Sequence, residues 1–219
     1  RRVLFRSAVL AAELAVLQDS HRVAIVHGGG PQATALSKSL GLSPTMVGGR
    51  RVTDAPTLEV MKMVLGGTVS IDLCAVLWAH GLRVVGLSGV SSGLIEAVKR
   101  PPKAVSGSHG ELVDFGLVGD IVGIDTTLLD TVSDGGFVAV MNSLGVDRHG
   151  QVYNINADVA ATRVAAAWGG SLVMLTGGVR GVLRNVDDPD SRIPRLEASA
   201  ARKAIADGRS VPVVFVSGG

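Results

Sequence analysis

The sequence has one cysteine and almost no net charge, and each scarcity excludes classes of protein. Because Cys74 stands alone among 219 residues, the chain has no internal disulfide framework and no metal site built from cysteines alone. A formal charge of +2 gives no electrostatic reason to bind nucleic acid or an anionic membrane. No apolar run approaches the roughly 18 residues of a membrane span, because Gly, Asp or Arg interrupts every candidate. We therefore expect no nucleic acid and no membrane as partners.

Aromatic residues are also scarce, at 3% of the sequence, whereas glycine is abundant, with 29 residues. Glycine at roughly twice its average usage predicts tight loops in which the backbone approaches a ligand closely. A chain with 47% hydrophobic and 18% charged residues is too apolar to be disordered. Its length suits one domain, so we assign residues 1–219 to a single domain.

The predicted strands are continuous runs of Val, Ile and Leu, at 22–26, 83–87, 137–142, 172–176 and 211–216. Helical spacing predicts helices at 8–18, 32–40, 56–65, 69–80, 127–134, 157–168 and 198–206, with Gly66-Gly67 separating the third from the fourth. Strands that are buried on both faces lack polar alternation, and here helices separate them. The pattern therefore predicts an α/β fold with a mostly parallel sheet and helices on both sides.

The clearest local motif is the segment His27-Gly28-Gly29-Gly30-Pro31-Gln32, between a predicted strand and a predicted helix. Three glycines leave backbone N–H groups uncovered at the positive end of a helix, where phosphate binds readily. The motif matches neither the dinucleotide-binding pattern nor the Walker pattern. Taken alone, it is equally consistent with a phosphate cradle and with an ordinary tight turn.

Two further motifs carry polar groups that could contact an anion. Arg50-Arg51, before a predicted helix start, could form paired hydrogen bonds to a carboxylate, although exposed arginines without such a role are the commoner case. Asn154, Asn156 and Asp158 follow one another at alternate positions around a strand end. Helix capping explains Asn156 or Asp158, but not all three residues.

A third glycine loop follows the fourth predicted strand, after those at Gly28-Gly29-Gly30 and Gly48-Gly49, and reads Thr176-Gly177-Gly178-Val179-Arg180-Gly181-Val182-Leu183. Ligands of open α/β sheets bind beyond the carboxyl ends of the strands. Three glycine-bearing loops at such ends therefore predict one anionic ligand, or two ligands that share a site.

In this order, the segments resemble the acetylglutamate kinases, within the amino-acid kinase superfamily. The resemblance covers residues 8–208, about nine-tenths of the chain. The residues that carry it are His27 to Gln32, Gly49 to Asp54, Thr57 to Gly67, Gly86 to Gly89, Gly119 to Gly123 and Tyr153 to Asp158.

The resemblance implies a cytoplasmic enzyme that uses ATP and Mg²⁺ to phosphorylate the γ-carboxylate of N-acetyl-L-glutamate in arginine biosynthesis. It implies a three-layer αβα sandwich, a substrate-binding part at about 1–155, a nucleotide-binding part at about 156–219, and a homodimer built on the helix around 58–65. The implied substrate contacts are Gly29, Gly30, Arg51 and Asn154, with catalytic roles for Asp158 and Gly29. The implied nucleotide contacts are Thr176, Gly178, Gly181 and Leu183, and no protein ligand to a metal is implied.

The chain also departs from the family pattern. The family's Lys-x-Gly-Gly strand is not found before Ala8, and no Gly-Met-x-x-Lys loop follows Gly208. We therefore expect a fragment, or a chain with segments missing, that binds acetylglutamate and turns it over slowly or not at all. A related kinase of the aminoadipate type and a non-catalytic ligand-binding protein remain open as alternatives.

Overall fold

A computed structural model describes residues 11–105, 108, 110–171, 184, 185, 188, 190–193 and 199. The chain divides into two compact units, residues 1–172 and 173–219. In the second unit, the described residues form a local turn in which the N–H of Arg184 donates to the carbonyl of Ser191 at 2.9 Å. The elements that follow belong to the first unit.

In chain order, the elements begin with a helix seen over 11–18, here α1. The strands are β1 (Ala24–His27), β2 (Met46–Val47), β3 (Arg50–Arg51), β4 (Val84–Ser88), β5 (Ile95–Lys99), β6 (Gly119–Ile124), β7 (Val138–Asn142), β8 (Leu144–Val146) and β9 (Val152–Asn154). The remaining helices are α2 (Gly30–Ser39), α3 (Ala55–Lys62), α4 (Ser70–Ala79), α5 (Thr127–Asp134) and α6 (Ala157–Trp168), and a π-helical segment, Met63–Val69, joins α3 to α4.

Strand β7 lies at the centre of a parallel three-stranded sheet with the order β1-β7-β4. Every residue of β7 is buried. Val138 and Val140 pack against α1 and α4 on one face, whereas Ala139 and Met141 pack with residues of α5 and α6 on the other. The sheet is thus covered by helices on both faces, which explains why its sequence lacks alternation and confirms the predicted α/β layers.

A second sheet has the order β6-β5-β8-β9, with antiparallel pairs at both ends and a parallel pair between β5 and β8. The short strands β2 and β3 form an antiparallel hairpin in which Met46 is opposite Arg51. The sequence pattern did not predict this hairpin. Its position matters because it carries Arg51.

The prediction that Gly66-Gly67 ends a helix was wrong. Residues Ala55–Ala79 form one continuous helix of 25 residues, and the glycines lie in its π-helical segment. Val64 and Leu65 of that segment are buried in a cluster with Ala33 and Leu144. Packing along this face keeps the helix intact where glycine propensity alone would end it.

The same helix bears on the expectation that no segment of the chain is apolar enough to span a membrane. Its mean hydropathy of 1.7 and its length are sufficient for a membrane span by composition alone. One such helix is weak evidence, because the core helix of a soluble protein has the same properties.

Aspartate side chains stabilise the starts of two helices. Asp54 caps α3, since its Oδ1 accepts a hydrogen bond from the N–H of Thr57 at 2.9 Å. The hydroxyl of Thr126 does not cap α5; instead Asp125 Oδ1 accepts from the N–H of Thr127 at 2.9 Å. The predicted strands at 172–176 and 211–216 and the helix at 198–206 lie outside the described residues, apart from residue 199.

Candidate functional site

The three parallel strands end together at one edge of the sheet. In the register of β7, Asn142 is opposite both His27 of β1 and Ser88 of β4. Because parallel strands present their carboxyl ends to the same edge, the loops that follow these three residues border one region. The glycine motif at 28–30 is the first of these loops.

The glycine loop leads directly into α2, with Gly29 at the position before its first residue. The carbonyl of Gly29 accepts the first helical hydrogen bond, from the N–H of Ala33 at 2.8 Å. In the part of the chain that the structure describes, the N–H groups of Gly29 and Gly30 donate to no backbone oxygen. Among the described residues, the loop therefore has two N–H donors without a backbone partner at the positive end of a helix.

His27 precedes this loop and is buried. Its Nδ1 lies 3.1 Å from the carbonyl oxygen of Gly28. A carbonyl only accepts, so Nδ1 carries the proton in this contact. The Nε2 atom is buried and has no partner among the described residues. Burial lowers the pKa of His27, which favours the neutral ring.

Arg51 extends from β3 to the first turn of α2. Its Nη2 donates to the carbonyl of Gly30 at 3.2 Å and to Thr34 Oγ1 at 2.7 Å. Its Nη1 is buried and has no hydrogen-bond partner within the described part of the chain. Burial lowers the pKa of Arg51, although arginine remains charged at neutral pH. An unpaired cationic donor of this kind suits a carboxylate or phosphate.

Asn154, at the end of β9, lies beside the segment that follows Arg51. Its Nδ2 donates to Thr53 Oγ1 at 3.1 Å, and Thr53 is fully buried. Residues about one hundred positions apart in sequence are thereby joined. The structure thus places Arg51 against Gly30, and Asn154 against Thr53, two residues along the chain from Arg51.

Asn156 and Asp158 have different surroundings at the start of α6. Asn156 caps the helix, because its Oδ1 accepts from the N–H of Val159 at 3.0 Å. The carboxylate of Asp158 is half-buried and accepts no hydrogen bond from the described residues. Burial raises its pKa. Capping therefore accounts for Asn156, whereas Asp158 lies in the first turn of α6, where a negative charge interacts favourably with the helix dipole.

The remaining predicted site residues lie outside the description. Thr176, Gly178, Gly181 and Leu183 are not among the described residues. Within the described ranges, no group of three His, Cys, Asp or Glu side chains could hold a metal ion. Sequence reasoning also assigned no role to Asn142, although a polar residue at the end of an apolar strand was a signal for one.

Asp158→Asn should raise the melting temperature at pH 7. Folding raises the pKa of Asp158, so the folded protein binds more protons than the unfolded chain between the two pKa values. The contribution of Asp158 to the free energy of unfolding therefore falls as the pH rises between its unfolded and its folded pKa. At pH 7 the carboxylate is charged and partly buried, which lowers the stability of the protein. The amide removes this cost, so the difference should shrink as the pH falls through the raised pKa.

Thermal melts at several pH values test this, with Asp72→Asn as the control. Asp72 is an exposed aspartate within the long helix, so its charge is solvated and its replacement should change the melting temperature little. Removal of the negative charge should also leave acetylglutamate binding unchanged or tighter in the absence of nucleotide. A lower melting temperature for Asp158→Asn at pH 7 would show that the carboxylate is stabilising.

Lys62→Ala and Lys99→Ala should each leave acetylglutamate affinity within about twofold of wild type. Lys62 Nζ bonds Glu59 at 2.7 Å, and Lys99 Nζ bonds Asp114 at 3.0 Å. Exposed pairs of this kind contribute about 0–1 kcal/mol, and neither partner belongs to the glycine loop. Calorimetric titration measures the affinity, and a larger loss for either variant would place that lysine at the site.

The comparisons identify relatives over most of the chain. A model of the amino acid kinase family matches residues 7–214. The chain is 50% identical to acetylglutamate kinase of Sorangium cellulosum over 202 residues, which cover 92% of this chain and 71% of that protein. It is 48% identical to acetylglutamate kinase of Anaeromyxobacter dehalogenans (91% and 74% covered) and 41% identical to that of Methanopyrus kandleri (90% and 79% covered).

Solved structures support the same fold. The protein smu.665 of Streptococcus mutans superimposes with a TM-score of 0.74 at 23% identity, covering 94% of this chain and 77% of that one. Carbamate kinase of Giardia gives a TM-score of 0.58 at 16% identity, covering 99% and 76%. These identities establish the fold alone, whereas the sequence matches establish the family. The chain therefore belongs to the amino acid kinase family, and within it to the acetylglutamate kinases.

Proposed function

We propose that the protein transfers the γ-phosphoryl group of ATP to the γ-carboxylate of N-acetyl-L-glutamate, giving an acyl phosphate and ADP. The observation that carries the proposal is the guanidinium of Arg51. It is held against α2 by Nη2 and keeps a buried, unpaired Nη1 beside the glycine loop. The relatives described above are named acetylglutamate kinases, which favours this substrate over an aminoadipate-type one.

We assign the substrate contacts to the neighbourhood that Arg51 shares with Gly30 and Asn154. Arg51 would pair with the α-carboxylate, because that carboxylate takes no part in the transfer and keeps its negative charge throughout the reaction. Asn154 is held by its bond to Thr53, and its amide oxygen, which accepts no hydrogen bond within the described part of the chain, would orient the substrate. A substrate that is held by both Arg51 and Asn154 loses less entropy when it reaches the transition state.

The glycine loop would stabilise the group being transferred. Phosphoryl transfer depends mainly on positioning and on neutralising negative charge that is spread over oxygen atoms. The free N–H groups of Gly29 and Gly30 can donate to those oxygens without rearrangement. Asp158 would act by orienting a cation next to the nucleotide, and its raised pKa reflects a carboxylate without such a partner in the described residues.

The nucleotide would bind the part of the chain at about 156–219, through Thr176, Gly178, Gly181 and Leu183. The substrate would bind the part at about 1–155. Mg²⁺ binds phosphate oxygens with one or two carboxylates and several waters. Since Mg²⁺ is commonly bound through the phosphates of the nucleotide, it would enter with ATP. When bound, it would neutralise part of the phosphate charge.

We also propose a cytoplasmic homodimer. Met63, Ile71 and Trp78 are exposed along one side of the long helix, and Trp78 is 73% exposed. Large apolar side chains exposed together commonly mark a protein interface. Dimerisation through this helix would cover them.

The proposal is tested by following ADP release and trapping the acyl phosphate with hydroxylamine. With MgATP, N-acetyl-L-glutamate should give a hydroxamate, and N-acetyl-L-aminoadipate should give much less. Calorimetry of acetylglutamate is needed in parallel, because slow turnover does not prevent binding. Failure to bind acetylglutamate, or a clear preference for aminoadipate, would overturn the proposal.

A further inference from the structure

Two carbonyl groups of the glycine loop are held by α2 and its surroundings. The carbonyl of Gly29 accepts from the N–H of Ala33 at 2.8 Å, which is the first hydrogen bond of α2. The carbonyl of Gly30 accepts from Thr34 Oγ1 at 3.0 Å and from Arg51 Nη2 at 3.2 Å. Both carbonyls are therefore fixed by the helix or by a side chain that contacts it.

The carbonyl of Gly28 is held differently, by the side chain of the residue before it. Nδ1 of His27 lies 3.1 Å from this oxygen and donates its proton to it. In the described part of the chain, no backbone N–H donates to the same oxygen. His27 is only 8% exposed, so the ring is itself confined by its surroundings. The imidazole therefore restrains a carbonyl that the helix does not reach.

This restraint also acts on the N–H of the following residue. A trans peptide unit is planar, so its C=O and N–H groups point in opposite directions. The carbonyl of Gly28 and the N–H of Gly29 belong to one such unit. Because the buried ring of His27 holds the carbonyl, the N–H of Gly29 points away from the ring. Among the described residues this N–H has no backbone acceptor, so it is available to a ligand.

A glycine loop needs a restraint of this kind more than other loops do. Neither Gly28 nor Gly29 has a Cβ, so rotation of the peptide unit between them meets little steric resistance. A single hydrogen bond of ordinary strength shifts such an equilibrium by about two- to tenfold. The contact with His27 is therefore sufficient to select one orientation of the N–H donor before a ligand arrives.

We propose that His27 is a positioning residue of the glycine loop, which directs the N–H of Gly29 at the phosphoryl group during its transfer. This inference rests on the proposed function, and it deepens it by naming the side chain that orients one of the two loop donors. The other donor, the N–H of Gly30, needs no such residue. It shares a peptide unit with the carbonyl of Gly29, which α2 already holds.

The wild-type protein tests the geometry without any ligand. Long-range ¹H–¹⁵N NMR spectra distinguish the two neutral forms of a histidine ring. At pH 7, His27 should carry its proton on Nδ1, with Nε2 unprotonated, as the contact with the Gly28 carbonyl requires. A neutral ring with its proton on Nε2 cannot donate to that carbonyl. It would overturn the inference whatever substrate the protein uses.

Three variants separate the hydrogen-bond donor from the packing of the ring. His27→Asn keeps an N–H donor on Cγ, at the position of Nδ1, whereas His27→Gln carries the same amide one bond farther from the backbone. His27→Leu fills the site with an apolar side chain and has no donor. Thermal melts show that the variants compared are folded. The probes are MgADP and its non-hydrolysable triphosphate counterpart MgAMP-PNP, each titrated in the presence of saturating N-acetyl-L-glutamate.

The wild type should bind AMP-PNP more tightly than ADP, because only AMP-PNP carries a γ-phosphoryl group. This preference should fall by about fivefold or more in His27→Leu and His27→Gln, and stay within about twofold in His27→Asn. The affinity for ADP should change little in all three variants, since ADP lacks the group that the loop contacts. A merely structural role would weaken both nucleotides together. An equal preference in the Leu and Asn variants would contradict the role of His27.

The outcomes separate the two proposals. If the wild-type protein binds no acetylglutamate, the proposed function fails. If it binds acetylglutamate and both nucleotides, and the preference for AMP-PNP does not depend on a donor at residue 27, only the role of His27 is contradicted.

Discussion

Arg51→Ala should weaken acetylglutamate binding by roughly 30- to 150-fold, because a charge-assisted pair with a carboxylate is worth about 2–3 kcal/mol. Nucleotide binding should change little by comparison. The guanidinium is already oriented by Gly30 and Thr34, so the free protein loses little entropy when Nη1 binds an anion. Calorimetric titration with each ligand measures the difference.

Arg50→Ala is the matched control for this prediction. Arg50 is the neighbouring residue of β3 and is exposed. It has the same charge, and in the described part of the chain its side chain has no ion-pair partner. If the Arg50 and Arg51 variants bind acetylglutamate with equal affinity, Arg51 contributes only general electrostatic attraction.

Arg51→Lys distinguishes charge from geometry. Lysine retains the positive charge but lacks the planar fork that holds Gly30 and Thr34 with one nitrogen while presenting another. It should therefore recover only a small part of the lost affinity. Full recovery would mean that the anchoring contacts with α2 are unimportant for binding.

The fold was predictable where burial alone determines structure. The residues of β7 are buried on both faces, so a continuous apolar run identified the strand. The continuity of the helix through Gly66-Gly67 was not predictable, because the contacts that preserve it come from the distant residues Ala33 and Leu144. Local propensity is a weak guide where tertiary packing of this kind opposes it.

The residues of the candidate site were predictable from the sequence, but the contacts between them were not. The sequence pointed to Arg51 and Asn154 as polar groups near element ends. That Asn154 bonds Thr53 depends on folding that brings together residues about one hundred positions apart. The roles assigned to these residues remain predictions until binding is measured.

The unpaired Nη1 of Arg51 could not have been identified from sequence. Whether a buried donor lacks a partner depends on every side chain around it, and apolar patterning does not contain that information. The position of Arg51 before a helix start was visible, whereas its free hydrogen-bonding capacity was not.

Gly29→Ala and Gly30→Ala should have opposite effects on stability, although the two glycines are adjacent. A Cβ on Gly29 would lie 2.9 Å from Leu65 Cδ2 and 3.2 Å from both Val64 Cγ1 and Val69 Cγ2. Val64 and Leu65 are buried and cannot move aside freely. We expect Gly29→Ala to destabilise the protein by about 1–2 kcal/mol, or roughly 2–8 °C in melting temperature.

Gly30→Ala places its methyl group where nothing lies within 4 Å, at the first residue of α2. Alanine is the better residue in a helix, so stability should be unchanged or higher by about 0.5–1 kcal/mol. The same open space is where the proposed function puts the transferring group, so acetylglutamate or nucleotide affinity should fall. Thermal melts and titrations of both variants separate packing from ligand contact. A Gly29→Ala protein as stable as wild type, or a Gly30→Ala protein with unchanged affinity for both ligands, would contradict the corresponding assignment.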